Sequence, residues 1–216
     1  MDGARLSEVI SRGYGIAARN VGQVFTVYRP ASASTPIAAG NALTTLPATF
    51  NAHSGQFAFD KAASHRDHLF HGLFDFADIQ KFDYFKLGDL VYFVASLEHA
   101  TPTLCVQCTR TITISRPQGA LIVGANPYQG NTPSVETALM TSWPVAAQMQ
   151  GRSRGGSRDL PGDVGSAKFE ITMPSWPGVV IRTADIVVDD LDWRFIVESA
   201  ELSPYGWRLM LHQAVT

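Results

Sequence analysis

The sequence predicts an all-β protein: two tandem small barrel-like or sandwich-like β modules, a short N-terminal helix and long loops. Three observations carry that expectation. Short runs of alternating apolar and polar residues recur between turn signals. Helical periodicity is strongest at the N-terminus. One pattern also occurs twice: Gly88-Asp89-Leu90, Tyr92-Phe93-Val94-Ala95, Pro102 and the 104–114 run answer Ala184-Asp185-Ile186, Arg194-Phe195-Ile196-Val197, Pro204 and the 207–214 run. From Phe93/Phe195 to Pro102/Pro204 the copies read in ungapped register, the signature of two related β units.

Residues 5–19 place Leu6, Val9, Ile10 and Ala17 near helical spacing. Gly13 and Gly15 each cost a helix about 1 kcal/mol relative to Ala, so a short, marginal helix that needs a partner surface is expected. Residues 23–29 alternate as a strand that Pro30 ends. From 30 to 66, Pro, Ala, Ser, Thr and Asn predict a long excursion holding at most a strand over 46–50. A strand over 69–76, a polar connection over 78–84 and a strand pair, 87–97 and 103–115, follow.

Arg116-Pro117 closes the first module, placing it at 1–116. Residues 117–166 read as an extended Gly-, Pro- and Ser-rich connector in which 134–150 can hold a helix until Pro144 interrupts it. The second module, 167–216, opens with 168–173, where Phe169, Ile171 and Met173 alternate with Lys168, Glu170 and Thr172. A short strand over 185–188, a turn over 189–192, and strands carrying Trp193, Phe195, Val197 and Trp207, Leu209, Leu211 complete it.

Composition narrows the function classes. Charged residues make up 17% of the chain, below the 25% or so of ordinary soluble domains, which points to a permanent partner surface or a polar Gly/Ser/Thr coat. A homo-oligomer or a larger assembly is therefore expected. Net charge is −2 with no block of like charges, so neither sequence-specific nucleic-acid contact nor a membrane patch is expected. The N-terminus lacks a secretion-signal pattern, and the two cysteines suit a reducing compartment; a cytoplasmic site of synthesis is the expectation.

Chemistry-bearing motifs are sparse. Cys105 and Cys108 have CxxC spacing, but residues three apart on a strand point to opposite faces, so both are read as packing cysteines. His65, His68 and His71 split between faces for the same reason and are read as a surface cluster. Asp185, Asp189, Asp190 and Asp192 are read as turn formers. No nucleophile elbow, phosphate loop or dinucleotide fingerprint occurs, so no catalytic residue, cofactor or metal is assigned. Leu6, Val9 and Ile10 on the helix, with Arg152, Arg154 and Arg158 in the Gly-rich stretch, are the candidate interface residues. The four tryptophans are read as core or interface anchors, with a carbohydrate-binding module as the alternative from another class and a metal-dependent hydrolase last.

Val27-Tyr28-Arg29-Pro30, the strand ending at Ser115-Arg116-Pro117, Leu160-Pro161-Gly162-Asp163 and Asp189-Asp190-Leu191-Asp192-Trp193-Arg194, followed by Ser199-Ala200-Glu201-Leu202 and Gly206-Trp207-Arg208-Leu209, resemble structural proteins of tailed bacteriophages over most of the chain. The repeated unit resembles the small β-barrels of head-to-tail connector and tail-completion proteins. That resemblance implies a non-catalytic virion role in neck or tail, self-assembly into a ring or collar, and other phage tail or neck proteins as partners. A baseplate hub or tail-fibre attachment adaptor is the alternative within the class. The chain departs from the pattern where Ala184 and Asp192 stand in place of glycines, which matters because Gly makes positive φ cheap.

Overall fold

A computed structural model describes residues 3–52, 68–98, 103–118, 136–149 and 168–213. A helix, α1 (Gly3–Val21), leads into β1 (Gln23–Tyr28), β2 (Ala42–Ala52), β3 (Leu69–Leu73), β4 (Tyr84–Leu87), β5 (Leu90–Ser96) and β6 (Thr103–Gln107), which close a barrel in the order β1-β2-β3-β6-β5-β4. Strands β7 (Arg110–Pro117), β8 (Glu136–Met149), β9 (Lys168–Met173), β10 (Ile186–Asp189), β11 (Arg194–Ser203) and β12 (Gly206–Gln213) close a second in the order β7-β8-β9-β12-β11-β10. Strand for strand, the two barrels are wound identically. The all-β expectation with two tandem modules and an N-terminal helix therefore holds.

The two units are divided elsewhere than the sequence pattern implied. The alternating 103–115 run is two strands, broken at Cys108-Thr109: β6 completes the first barrel and β7 begins the second. The boundary thus lies between Gln107 and Arg110, and the 1–116, 117–166 and 167–216 division is corrected. Within the expected connector, 136–149 is strand β8 rather than helix, because β7 and β9 pair with it on either side. Pro144 is tolerated there beside a register shift on the facing strand and a positive φ at Ser142 (54°), the irregularity that lets proline sit in a sheet.

Register within the repeat is also corrected. In the first barrel the Val94 N–H donates to the Asp83 carbonyl and the Phe82 N–H to the Val94 carbonyl; Val197, Asp185 and Ala184 make the same bonds in the second. Val94 therefore answers Val197, and Asp83, not Asp89, answers Asp185. The β10–β11 turn is one residue longer than the Gly88-Asp89 turn of β4–β5, which shifts all downstream equivalences by one. Both copies bulge at the same place, between Val94 and Ser96 and between Val197 and Ser199.

Each barrel closes through its first and fourth strands, and beyond the last backbone pair of each seam an arginine clasps an aspartate. Tyr28 pairs with Tyr84; Arg29, next in sequence, donates through Nε (2.9 Å) and Nη2 (2.7 Å) to the carboxylate of Asp83, the residue before Tyr84. Ser115 pairs with Ile186; Arg116 donates through Nε (2.8 Å) and Nη2 (2.8 Å) to Asp185. Each carboxylate takes a third bond from a backbone N–H, of Gln80 or Arg182, and each Nη2 also donates to a carbonyl, of Asp78 or Val180. Asp83 is 1% exposed and Asp185 2%. Both guanidiniums hold their protons more tightly than usual, chiefly through the hydrogen bond to the aspartate. Such bidentate, charge-assisted pairs tolerate burial because the lone pairs are filled.

Side chains fill both barrels. The first has an aromatic interior, with Phe50 stacked on Tyr92 (centroids 4.0 Å apart) and Phe25, Phe70 and Phe85 edge-on to their neighbours. The second is mainly aliphatic: Ile112, Ile114, Ile171, Met173, Val187, Val197, Leu209 and Leu211 are buried. α1, longer than the sequence implied, crosses β2 and β3. Ser11 Oγ donates to Asp75 (2.8 Å) and accepts from the Phe76 N–H (2.9 Å), while Tyr14 meets the Phe76 ring edge-on. Barrel 1 is thus the partner surface the helix needs. Among the described residues no helix is long and apolar enough to cross a membrane.

Ala184 and Asp192, the two departures from glycine, both carry positive φ (70° and 61°). A left-handed conformation costs an L-residue with a Cβ about 1–2 kcal/mol. Ala184→Gly is accordingly expected to stabilise the fold by about 1 kcal/mol in urea unfolding, a gain that Gly's unfolded-state entropy reduces. Arg116→Met, which strands the buried Asp185 carboxylate, is expected to destabilise by about 3 kcal/mol in the same assay.

Candidate functional site

The place where the chain brings its two units together is the junction between the barrels. The segment after β1 straps onto β8: Ser34 forms a parallel bridge with Thr141, the Thr35 N–H donates to the Thr141 carbonyl (2.8 Å), and the Thr141 N–H donates to that of Ala33 (3.0 Å). Trp143, fully buried, donates through Nε1 to the Ala33 carbonyl (2.6 Å) and lies against the rings of Tyr84 in the first barrel and Trp176 in the second. The buried Tyr84 hydroxyl donates to the Pro144 carbonyl (3.0 Å), and burial pushes its pKa well up. Tyr84, Phe93 and Val106 of the first barrel belong to the same apolar cluster as the second barrel's interior. The second barrel's core therefore extends across the junction onto these first-barrel residues, while the first barrel's interior forms a separate cluster.

Beside this contact lies a cleft of about 450 Å³ lined by the β4–β5 hairpin (Lys86, Gly88, Asp89), the inter-barrel link (Cys108, Thr109), β7 (Arg110, Thr111) and Asp190. Arg110 reaches Asp190 at 3.4 Å and sits over the Trp193 ring, 5.9 Å from its centroid. Two cations and two carboxylates share the rim, so it presents no field of one sign. Thr109 Oγ1 is already committed, donating to the Ala147 carbonyl and accepting from its N–H. The Cys108 thiol is pushed well up by burial, away from the thiolate a nucleophile needs.

The structure distributes the sequence motifs as follows. Cys105 lies inside the first barrel and Cys108 packs against the other core, so the CxxC sulfurs belong to different interiors. Burial raises the Cys105 thiol strongly. His68 contacts Gln148, His71 sits on β3, and His65 lies outside the described residues. Among the described residues no group of three or more His, Cys, Asp and Glu side chains is placed to hold a metal. Asp189 does serve its turn, accepting from the Leu191 and Trp193 N–H groups, and Asp192 supplies its left-handed residue. Asp185 serves a turn as well, accepting from the Arg182 N–H, and is in addition the buried half of the clasp. Trp143 and Trp207 are buried, leaving neither as a platform for a sugar ring.

The proposed interface residues separate. Leu6 and Val9 face outward from α1 (45% and 62% exposed), whereas Ile10 packs against the first barrel. Arg152, Arg154 and Arg158 lie outside the described residues. Sequence reading missed Ile16, 48% exposed on the same side as Leu6 and Val9, and the arginines Arg5, Arg12 and Arg19 that flank them. The signal was present as a seven-residue spacing.

Thiol labelling of the native protein checks the cysteine placement: Cys105 is expected to stay unlabelled by an aromatic disulfide reagent near neutral pH until denaturant unfolds barrel 1. Prompt labelling at Cys105 would contradict its burial.

No family model matches this chain, and no curated protein and no solved structure matches it either.

Proposed function

We propose that the chain is a non-enzymatic structural component of a tailed-bacteriophage particle, acting in the neck or tail as a ring or as several copies of an adaptor between neighbouring tail proteins. One observation carries this reading: two identically wound barrels, each filled by its own side chains, are joined by an apolar contact through Trp143, while Leu6, Val9 and Ile16 on α1 stay exposed. A filled barrel has no interior for a ligand, so its working surface is its outside. Joining two such units through a buried apolar contact makes a stiff spacer with faces held at constant separation. The low charge content favours permanent contacts over transient electrostatic ones. Assembly in a bacterial cytoplasm and incorporation into the virion follow from the same reading, as does the absence of sequence-specific DNA contact.

Native mass measurement of the purified chain, followed by imaging of intact particles with the chain labelled, tests the proposal. A multiple of the chain mass and labels at the neck or tail are expected. A strict monomer absent from particles, or one that turns over a substrate, would overturn it.

A further inference from the structure

The exposed side of α1 carries a pattern that no described part of the fold covers. Leu6, Val9, Gly13, Ile16 and Asn20 follow one another at spacings of three and four and are all exposed. This is the seam of a helix that packs along another helix. The opposite face, with Ser11, Tyr14, Gly15 and Ala18, is already spent on barrel 1.

Gly13 sharpens the case. Gly15 is explained by the fold, since a Cβ there would lie 3.0 Å from Asp75 Cβ. Gly13 has nothing within 4 Å and no positive φ, so among the described residues no neighbour calls for glycine. Mid-helix glycine is unfavourable relative to alanine. What it provides is a notch in the centre of the seam, between Val9 and Ile16, into which a facing side chain can insert.

Charge selects the occupant. Arg5, Arg12 and Arg19 stand seven apart along one flank, each directly before a seam position, and all are exposed. Glu8 is the one acidic residue of the helix. Two copies of this face packed antiparallel would set arginines against arginines; packed parallel, they would set Gly13 against Gly13 and leave the notch empty. We infer that the outer face of α1 is a docking surface for an amphipathic helix of another protein, one with acidic residues along the flank facing Arg5, Arg12 and Arg19 and a large apolar side chain opposite Gly13. This deepens the assembly reading above by naming the partner's chemistry.

The test uses the full chain and two synthetic helical peptides of identical leucine seam, one flanked by Glu and one by Lys. The Glu peptide is expected to bind, more weakly as salt rises from 50 to 300 mM, and the Lys peptide is not. Val9→Asp and Gly13→Leu are each expected to weaken binding by about tenfold or more. Gly13→Leu should leave the thermal midpoint unchanged or higher, which separates a filled notch from a damaged fold. Arg12→Glu should narrow the preference for the Glu peptide. The inference is overturned if the two peptides bind alike, if neither binds, if Gly13→Leu leaves affinity intact, or if the chain dimerises through this face. It is equally overturned if anionic phosphatidylserine vesicles compete the Glu peptide away. A chain found in particles that fails this assay loses only this inference; one that passes but is absent from particles loses only the virion reading.

Discussion

The rest of the structure depends on the arginine–aspartate clasp that finishes each barrel's closing seam. A six-stranded sheet closes only if its first and fourth strands, which are far apart in sequence, meet in register. The backbone ladder between them is short: three pairs for β1 with β4 and four for β7 with β10. Where the ladder stops, Arg29 or Arg116 extends it with two charge-assisted bonds to an aspartate directly preceding the fourth strand. The aspartate also gathers the turn in front of it through the Gln80 or Arg182 N–H, so one carboxylate holds turn, strand entry and seam together. Phe82 and Ala184, immediately before those aspartates, both carry positive φ (72° and 70°).

With both seams held, the two barrels become blocks that can be joined. Trp143 does most of the joining, since its ring touches residues from both units and its N–H anchors the strap from the first. The link from β6 to β7 is only Cys108 and Thr109, too short to let the units drift apart. The cleft beside the junction lies where the two barrels meet, and its rim carries two cations and two carboxylates. Among the described residues α1, in contrast, is packed on one side only. That asymmetry leaves Leu6, Val9 and Ile16 exposed on its outer side.

Much of the fold was legible in the sequence because strand alternation is a local property. The alternation at Phe25/Val27, Phe169/Ile171/Met173 and Trp207/Leu209/Leu211 marked buried faces that the barrels indeed bury. Turns at 189–192 and 204–206 were equally local, set by Asp, Pro and Gly, whereas the turn at 88–89 fell inside a run read as one strand. The exposed Leu6 and Val9 were visible as apolar residues at helical spacing, but their outward orientation was not, since which face meets barrel 1 depends on Phe76 and Asp75 being brought there by the fold.

By itself, then, the sequence determined that the chain is built of strands, that it is duplicated, and roughly where most of the strands lie. Tertiary structure alone decided where one barrel ends and the next begins. Nothing local distinguishes Gln107 from Arg110 in an alternating run, because both belong to strands and only their pairing partners differ. Tertiary structure likewise made β8 a strand, through neighbours on both sides that override a helical propensity. It also revealed Asp83 and Asp185 as equivalents. Their partners Arg29 and Arg116 lie 54 and 69 residues away, and ion pairing across such distances leaves no periodic trace in the chain.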